Sequence, residues 1–359
     1  MNKVYIFSHW VDTDYKFQKE IDEVKQLNPD YLFANCTFEY EAAYIFRHLI
    51  AGISDWLVEN NKKLIILCSG PDGLEIAPNV ILEKCYGFHP QISHICRNAV
   101  EGKTDKLEEG ISKWFTCYNN NPKYERALLL DQLVANSLMQ HGIITFHDPI
   151  NISGVPEHLR PFKWKYHDGS RLVDEPDYEN YAGRPGQNVQ YASTKYPKSY
   201  FKGLVDVVCE SAYTENVFFV TEKTGKPIAA LKPFITLSCV NYHKFLVDEY
   251  GLLLYDEIFD YSFDSKPNIE DRVQGIIDNL NNLVDQDLNN TKKIYESLLP
   301  KMIHNRQMIL DYSDNKEKMI PKSLRFMTET SDYTVYGDSL AWQSLAMPLV
   351  NWLRKGLLT

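Results

Sequence analysis

Short apolar runs alternate with amphipathic stretches along the first third of the chain. Apolar runs bounded by polar residues predict strands, and apolar residues three and four positions apart predict helices. The predicted strands cover residues 4–7, 31–34 and 63–68, and the predicted helices cover residues 15–27 and 41–60. Within the longer helix, apolar side chains recur at Ala43, Phe46, Ile50, Ile53 and Leu57. This alternation predicts a parallel sheet with helices on both faces.

The same alternation starts again near residue 114. Predicted strands cover 114–118, 143–147, 204–210 and 233–238, and predicted helices cover 124–140, 221–231 and 242–250. Two long helices follow over 269–312 with a break at Leu299-Pro300, and an amphipathic helix covers 339–358. Two such halves predict an α/β fold with two Rossmann-like domains facing a cleft, in which ligands bind at the carboxyl ends of the strands.

A long polar stretch, about 148–199, separates two predicted strands of the second half. It is rich in Pro, Gly, Tyr and charged residues. Loops of this length inside a domain are usually functional or mobile. Two interpretations stay open, namely an insertion that contacts an acceptor and a surface excursion without a role in binding.

Composition narrows the class of protein. The formal net charge of -10 disfavours nonspecific binding to nucleic acid, because polyanions repel an acidic protein. Seven cysteines without a CxxC pair are typical of reduced, mostly buried thiols. The first residues hold too short an apolar run for a signal peptide, and no run of about 18 apolar residues occurs. We therefore expect a cytoplasmic protein without a membrane partner.

The first candidate site lies where a predicted strand ends at Glu210 and a helix starts near Thr221-Glu222-Lys223. A helix N-terminus offers N–H groups and partial positive charge, which favour phosphate, and Lys223 adds a full charge. Glu222 can accept hydrogen bonds from ribose hydroxyls. A plain capping motif with solvated charges is an equally weighted interpretation. Pro227 leaves the helix start open between Thr221 and Thr224, because an interior proline kinks a helix.

The second candidate site is Arg126, on the opening turn of a helix after a strand and the turn Asn121-Pro122. A guanidinium carries a fixed fork of donors that suits a diphosphate. A single Arg on a helix is more often a surface ion pair, so this element gains weight only beside the first site.

Together, the two elements resemble the C-terminal donor domain of glycosyltransferase family ten, the α-1,3-fucosyltransferases, in a divergent viral or microbial form. The strand, Asn-Pro turn and Arg of that family match 115–118, 121–122 and Arg126, and its strand and Tyr-Val-Thr-Glu-Lys match 208–211 and 219–223. The resemblance covers about residues 112–240. It implies that Arg126 and Lys223 bind the donor diphosphate and that Glu222 binds the donor ribose, with Glu210 and Thr221 also in the donor site.

The resemblance also implies a GT-B fold and a nucleotide-sugar-dependent, inverting glycosyltransferase. Residues 1–111 would then form the acceptor-side domain, with the helix of 339–359 packing back on it, and residues 112–338 the donor domain with the insertion at about 148–199. The donor would be a GDP- or UDP-sugar and the acceptor a glycan or other hydroxyl compound. No tightly bound cofactor is implied, and a divalent metal is compatible but not required.

Two positions depart from the family pattern. Phe219 stands where the family has Tyr, which removes a hydroxyl from the donor site, and Ser211 stands where the family has Asn. The sugar therefore stays open, and fucose is doubtful.

An inverting transfer needs a carboxylate that takes the proton from the acceptor hydroxyl. In the family this base follows a strand of the first domain, and the corresponding stretch here contains Asp72 and Glu75. Asp72 is the first candidate and Glu75 the second. The competing interpretation, a Pro-Asp-Gly turn, is the more common role for such an aspartate.

Two other functions stay open. The same chemistry on hydroxymethylated bases in DNA is one, because 151–200 carries basic residues with interleaved Trp and Tyr. The other is a non-catalytic binding or virion-associated protein that has kept a nucleotide-sugar fold. The sequence predicts no metal site, since Asp12-Thr13-Asp14 comes too early for a metal motif. The spacings of Cys85, His89, His94 and Cys96 also fit no zinc pattern.

Overall fold

The computed structural model describes residues 2–7, 14–36, 47–68, 74–84, 89–101, 110–119, 123–146, 196, 198–210, 218, 220–315, 322–325 and 333–337. The chain divides into two compact units. The first unit comprises residues 1–90, 217–219 and 312–359, and the second comprises residues 91–216 and 220–311. Strands alternate with helices in both units, which confirms the α/β class. The division into acceptor-side and donor domains stays a prediction.

The first unit is built on a six-stranded mixed sheet. Its strands in chain order are β1 (Asn2–Phe7), β2 (Tyr31–Cys36), β3 (Leu64–Cys68), β4 (Leu74–Ala77), β5 (Val80–Lys84) and β10 (Tyr333–Gly337). The spatial order is β10-β1-β2-β3-β5-β4, and all neighbours are parallel except the hairpin of β4 and β5. The sequence pattern did not predict this hairpin, whose turn has Asn79 at φ 60°.

Two helices of the first unit pack against each other, α1 (Asp14–Leu27) and α2 (Arg47–Glu59). The core of this unit combines strand and helix residues that are almost fully buried. Ile53 and Leu57, two of the positions that predicted the apolar face of α2, lie in that core. The helical spacing of apolar residues therefore identifies the buried face correctly.

The second unit is built on a four-stranded parallel sheet. Its strands are β6 (Lys113–Asn119), β7 (Gly142–Phe146), β8 (Gly203–Cys209) and β9 (Phe234–Leu237), in the spatial order β7-β6-β8-β9. All residues of β8 are buried, as expected for a strand covered on both faces. The next strand in the chain, β7, lies on one side of β6 in the sheet, and the strand after that, β8, lies on the other side. The strand order therefore reverses between β6 and β8, the point where open α/β sheets bind ligands.

The helices that group mainly with this sheet are α3 (His89–Val100), α4 (Tyr124–Ala135), α5 (Glu222–Ala229), α6 (Tyr242–Tyr250), α7 (Ile269–Val284) and α8 (Thr291–Asp314). Short 3-10 turns cover Met139–His141, Lys198–Lys202, Tyr261–Ser265 and Leu288–Asn290, and another in the first unit covers Lys322–Leu324. α5 packs closely on α3, since a Cβ on Gly225 would lie 2.8 Å from Ile92. In the described part of the chain, no helix is long and apolar enough to cross a membrane.

Two predicted helix boundaries are wrong. The helix predicted over 124–140 ends at Ala135, where Ser137 adopts a positive φ of 56° and turns the chain. The break predicted at Leu299-Pro300 is absent, because α8 runs through Pro300 and the chain breaks at 285–290 instead. Leu298 and Met302, on either side of the proline, are almost fully buried, and that burial offsets the lost hydrogen bond. The helix predicted at 339–358 lies outside the described residues.

Gly275 in α7 tests how tightly this unit is packed. A Cβ there would lie 2.2 Å from the Cβ of Phe263, a buried residue of the 3-10 turn Tyr261–Ser265. Alanine stabilises a helix interior by about 1 kcal/mol over glycine, while overpacking costs about 1–3 kcal/mol. We expect G275A to lower the free energy of unfolding in urea, and N282A, at an exposed position of the same helix, to leave it unchanged or raise it. A stabilised G275A would show that Phe263 can move.

Candidate functional site

The strand β8 and the helix α5 bring part of the first candidate site together. Glu210 follows β8 directly and is fully buried. Thr221 caps α5 in an extended conformation, and its hydroxyl accepts a hydrogen bond from the backbone N–H of Lys223 at 3.2 Å. The helix therefore starts after Thr221, with Pro227 in its interior, and it ends soon afterwards at Ala229. This settles the start that the sequence left open.

The carboxylate of Glu210 is the anion that lies at the start of α5. Its Oε1 accepts from the backbone N–H groups of Thr221 at 3.0 Å and Thr224 at 3.3 Å, and from the Thr224 hydroxyl at 2.7 Å. Its Oε2 accepts from the Thr221 hydroxyl at 2.7 Å. These N–H groups are therefore committed within the protein, so a phosphate at this helix would depend on side-chain cations. A contact between Glu210 and the donor stays a prediction.

Glu222 and Lys223 lie side by side on the first turn of α5. The ammonium of Lys223 lies 3.1 Å from Oε1 of Glu222 and 3.2 Å from Oγ1 of Thr221. The side chains of Lys223 and Glu222 keep 30% and 21% of their surface exposed. Burial acts to raise the pKa of Glu222, but Lys223 and Lys226 outweigh it and hold this pKa below its ordinary value. Glu222 is therefore ionised at neutral pH and can accept hydrogen bonds from hydroxyls.

Arg126 connects the two candidate sites. It lies on the first turn of α4, the helix that follows β6 in the chain. Its guanidinium reaches the end of β8, where Nη2 donates to the carbonyl of Cys209 at 3.4 Å. Only 3% of Arg126 is exposed, so it is not the surface ion pair that a lone helical Arg usually forms. The elements after β6 and β8 thus meet at the point where the strand order reverses.

Four residues at this point were not predicted from the sequence to be part of a site. They are Glu125, Thr224, Lys226 and Tyr242. Glu125 is fully buried and its pKa is raised by burial, and no described residue donates a hydrogen bond to its carboxylate. Lys226 is half-buried, and burial lowers its pKa against the opposing effect of Glu222. Lys226 could have been predicted, because it lies three positions after Lys223 on the same helix and residues at this spacing are neighbours on the helix surface.

The remaining candidates are Asp72, Phe219 and Glu75. Asp72 and Phe219 lie outside the described residues, as do 147–195 with the basic residues of the DNA hypothesis. Glu75 lies in the first unit on β4, where it is exposed and accepts a hydrogen bond from the backbone N–H of Asn79 at 2.8 Å. That contact closes the β4–β5 hairpin. The role of either acid as a base stays a prediction.

A groove of about 290 Å³ lies at the start of α6, lined among others by His243, Lys244, Tyr261 and Asp264. Its buried polar atoms bond to each other. The imidazole Nδ1 of His243 lies 2.8 Å from Oδ1 of Asp264, and its Nε2 accepts from the backbone N–H of Thr236 at 3.0 Å. Asp264 also accepts from the backbone N–H groups of His243 and Lys244. This cluster therefore stabilises the start of α6.

No group of three or more His, Cys, Asp or Glu side chains that could hold a metal ion occurs among the residues that the structure places. Of the zinc candidates, His94 is exposed and bonds to Asn98, whereas Cys96 is buried and burial raises its pKa to about 12. Cys85 and the side chain of His89 lie outside the described residues.

The arrangement at the carboxyl ends of β6 and β8 is suited to anion recognition. It combines Arg126, Lys223 and Lys226 with an ionised acceptor, Glu222, at a position where such sheets bind nucleotides. Comparison of the chain with protein-family models, curated proteins and solved structures finds no match, so this geometry is the basis for assigning a function.

Proposed function

We propose that the chain is a glycosyltransferase that takes a sugar from a nucleotide-sugar donor. One observation carries the proposal, namely that Arg126 and Thr221 both bond to the end of the same strand, at Cys209 and Glu210, where the strand order of a parallel sheet reverses. Ligands of open α/β sheets bind at this point, outside the carboxyl ends of the strands. The likeness to the donor domain of glycosyltransferase family ten supports the same assignment for these residues.

The chemistry follows from the charges. Departure of a nucleoside diphosphate develops negative charge on the leaving oxygens, and preorganised cations stabilise it. Lys223 is held at the start of α5 by Thr221 and Glu222, so its ammonium needs little reorganisation to meet a phosphate. Arg126 would supply the second cation. Glu222 would accept hydrogen bonds from the ribose hydroxyls, because its carboxylate is ionised at neutral pH.

The proposal includes a GT-B arrangement, an inverting transfer and a base from the first unit, either Asp72 or Glu75. The donor is a GDP- or UDP-sugar, and the acceptor is a glycan or another hydroxyl compound in the cytoplasm. No described contact favours transfer to modified DNA, since that hypothesis depends on residues outside the described part of the chain.

Replacing Lys223 by alanine tests the donor site. We expect K223A to weaken binding of GDP or UDP, measured by isothermal titration calorimetry, by about 10- to 100-fold, because a charge-assisted hydrogen bond contributes about 1.5–3 kcal/mol. The matched control is K244A, which removes an exposed lysine paired with Asp248 on α6.

Unchanged affinity of K223A for the nucleotide would show that the site assignment is wrong. If the wild-type protein binds no nucleoside diphosphate and hydrolyses no nucleotide sugar, the transferase assignment itself fails. Hydrolysis of one sugar nucleotide from a panel, lost in K223A and kept in K244A, would support the assignment and identify the donor.

A further inference from the structure

The buried carboxylate of Glu210 is connected to the ammonium of Lys223 through one hydroxyl group. Oγ1 of Thr221 lies 2.7 Å from Oε2 of Glu210, 3.2 Å from the backbone N of Lys223 and 3.2 Å from Nζ of Lys223. Glu210 and Thr221 are both fully buried, so water does not compete for the hydrogen bond between them. The connection therefore belongs to the folded structure rather than to a solvated surface.

The directions of these hydrogen bonds are fixed by their chemistry. A backbone N–H and an ammonium can only donate, so Thr221 accepts from both groups of Lys223. A hydroxyl has a single proton, and a carboxylate only accepts, so Thr221 donates this proton to Glu210. Because Glu210 accepts the Thr221 proton, the lone pairs of the Thr221 hydroxyl point toward Lys223.

The other carboxylate oxygen of Glu210, Oε1, also accepts a hydrogen bond from a threonine hydroxyl. The Thr224 hydroxyl lies 2.7 Å from Oε1 of Glu210 and 2.9 Å from the hydroxyl of Tyr242. Since Thr224 gives its one proton to the carboxylate, the Tyr242 hydroxyl is the donor toward Thr224, and it also lies 3.4 Å from Oε1 of Glu210 as a donor. Burial, followed by the charge of Glu210, raises the pKa of Tyr242 well above its ordinary value, so this phenol stays a donor. Glu210 is therefore held in place independently of Lys223.

We propose that Glu210 is a positioning residue of the donor site, which acts through the Thr221 hydroxyl to hold the Lys223 ammonium where a diphosphate binds. This inference rests on the proposed function. It differs from direct binding of the donor by Glu210, because both carboxylate oxygens are engaged inside the protein.

The matched pair T221V and T224V tests the relay. Both substitutions replace a fully buried hydroxyl that donates to Glu210 at 2.7 Å, but only Thr221 also contacts Lys223. With pyrophosphate and GDP as probes, we expect T221V to weaken binding by about tenfold and T224V by less than about twofold. T221S keeps the hydroxyl and should restore the wild-type affinity. Equal losses in T221V and T224V would overturn the inference, because they indicate a purely structural role.

E210Q tests the carboxylate itself. An amide must present its NH₂ to Thr221 if its oxygen keeps the backbone N–H groups, so the Thr221 hydroxyl would accept from it and turn its own proton toward Lys223. We expect the same weakening in E210Q as in T221V, and no further loss when E210Q is added to K223A. A full additional loss in that double variant would overturn the relay.

A measurement without ligand separates this inference from the proposed function. The rate at which a limiting amount of acetic anhydride acetylates Lys223, followed by mass spectrometry, reports how firmly its amine is held. We expect a rise of about threefold in T221V, the loss of one weak hydrogen bond, and none in T224V. If the wild type binds neither probe, the proposed function fails, whereas unchanged labelling in T221V contradicts the relay whether or not a nucleotide binds.

Discussion

Replacing Lys232 by methionine is expected to lower the free energy of unfolding by about 3–5 kcal/mol at neutral pH, the cost of leaving a buried charge without its counter-charge. Lys232 is fully buried just before β9. Its ammonium lies 2.6 Å from the Thr116 hydroxyl and 2.6 Å from the carbonyl of Tyr200, and 4.1 Å from the centre of the Tyr200 ring. Methionine keeps the length of the chain but none of these contacts.

Asp206 is the residue that loses its counter-charge in this variant. Its Oδ1 accepts from the Thr116 hydroxyl at 2.8 Å, and its Oδ2 accepts from the Tyr200 hydroxyl at 2.6 Å. Thr116 therefore accepts from Lys232 and donates to Asp206, as Thr221 does between Lys223 and Glu210. Without Lys232, the carbonyl of Tyr200 loses its buried donor and Asp206 keeps a charge without a cation.

The effect of K232M depends on pH in a defined direction. Burial lowers the pKa of Lys232 to about 7, against the opposing effect of Asp206. The unfolded chain then binds more protons between about 7 and the ordinary lysine pKa, so this group makes the wild type more stable as pH rises through that interval. In K232M that rise is absent. Burial already raises the pKa of Asp206, and loss of Lys232 raises it further, so the variant loses stability as pH rises toward neutrality.

Urea unfolding at pH 5, 7 and 8.5 checks both effects, and the deficit of K232M should grow over this series. The double variant D206N/K232M should be more stable than K232M, because it removes the uncompensated charge. K292M, at an exposed position of α8, is the control. A deficit that is equal at all three pH values would show that packing, and not charge, makes Lys232 important.

The sequence predicted the elements whose signals are local. The bounds of α6, Tyr242–Tyr250, are those predicted, because Gly251 with φ 72° ends the helix in the left-handed conformation that glycine favours. The parallel pairing of β10 with β1 could not be predicted, since the two strands are more than 300 residues apart and no pattern in either names its partner. The break at Pro300 was predicted from a local rule that tertiary burial overrides.

In the site too, features with a local sequence signal were predicted and features that depend on tertiary contacts were not. The cap at Thr221 followed from residue type, and Glu210 was recognised as part of the motif. The sequence could not show that its carboxylate accepts from Thr221 and Thr224, because these residues lie 11 and 14 positions further along the chain and no local pattern pairs them with Glu210. Asp206 and Lys232 lie inside apolar runs of the sequence. A charged residue in such a run indicates a buried partner, and the two residues could have been paired on this ground.

Replacing Asp264 by asparagine is the second change with a large expected effect, a loss of about 3 kcal/mol in the free energy of unfolding. Asp264 is buried and caps the start of α6, with Oδ1 accepting from the backbone N–H of His243 at 3.1 Å and from its Nδ1 at 2.8 Å. Its Oδ2 accepts from the backbone N–H groups of His243 at 3.0 Å and Lys244 at 3.2 Å. Every contact of the carboxylate here is with a donor.

An asparagine cannot satisfy these donors in either orientation. Its NH₂ would face the imidazole N–H of His243 in one and the backbone N–H of Lys244 in the other. The imidazole cannot move its proton to Nε2, because that nitrogen accepts from the backbone N–H of Thr236 at 3.0 Å. One buried donor is therefore left facing another donor. An unsatisfied buried donor lowers the free energy of unfolding by about 1–3 kcal/mol, and by more where a charged group is involved.

Acid pH should remove most of the difference between D264N and the wild type. Burial acts to raise the pKa of Asp264, but the hydrogen bonds from the His243 ring and from the backbone N–H groups outweigh it and hold this pKa below its ordinary value. The stabilisation is therefore complete above the ordinary pKa and is lost as pH falls through the lower, folded one. Urea unfolding between pH 3 and 7 measures this, with D248N, an exposed acid on the same helix, as the control. Because D264N has no carboxyl to titrate at this position, a gap that stays constant down to pH 3 would mean that the charge of Asp264 does not cap α6.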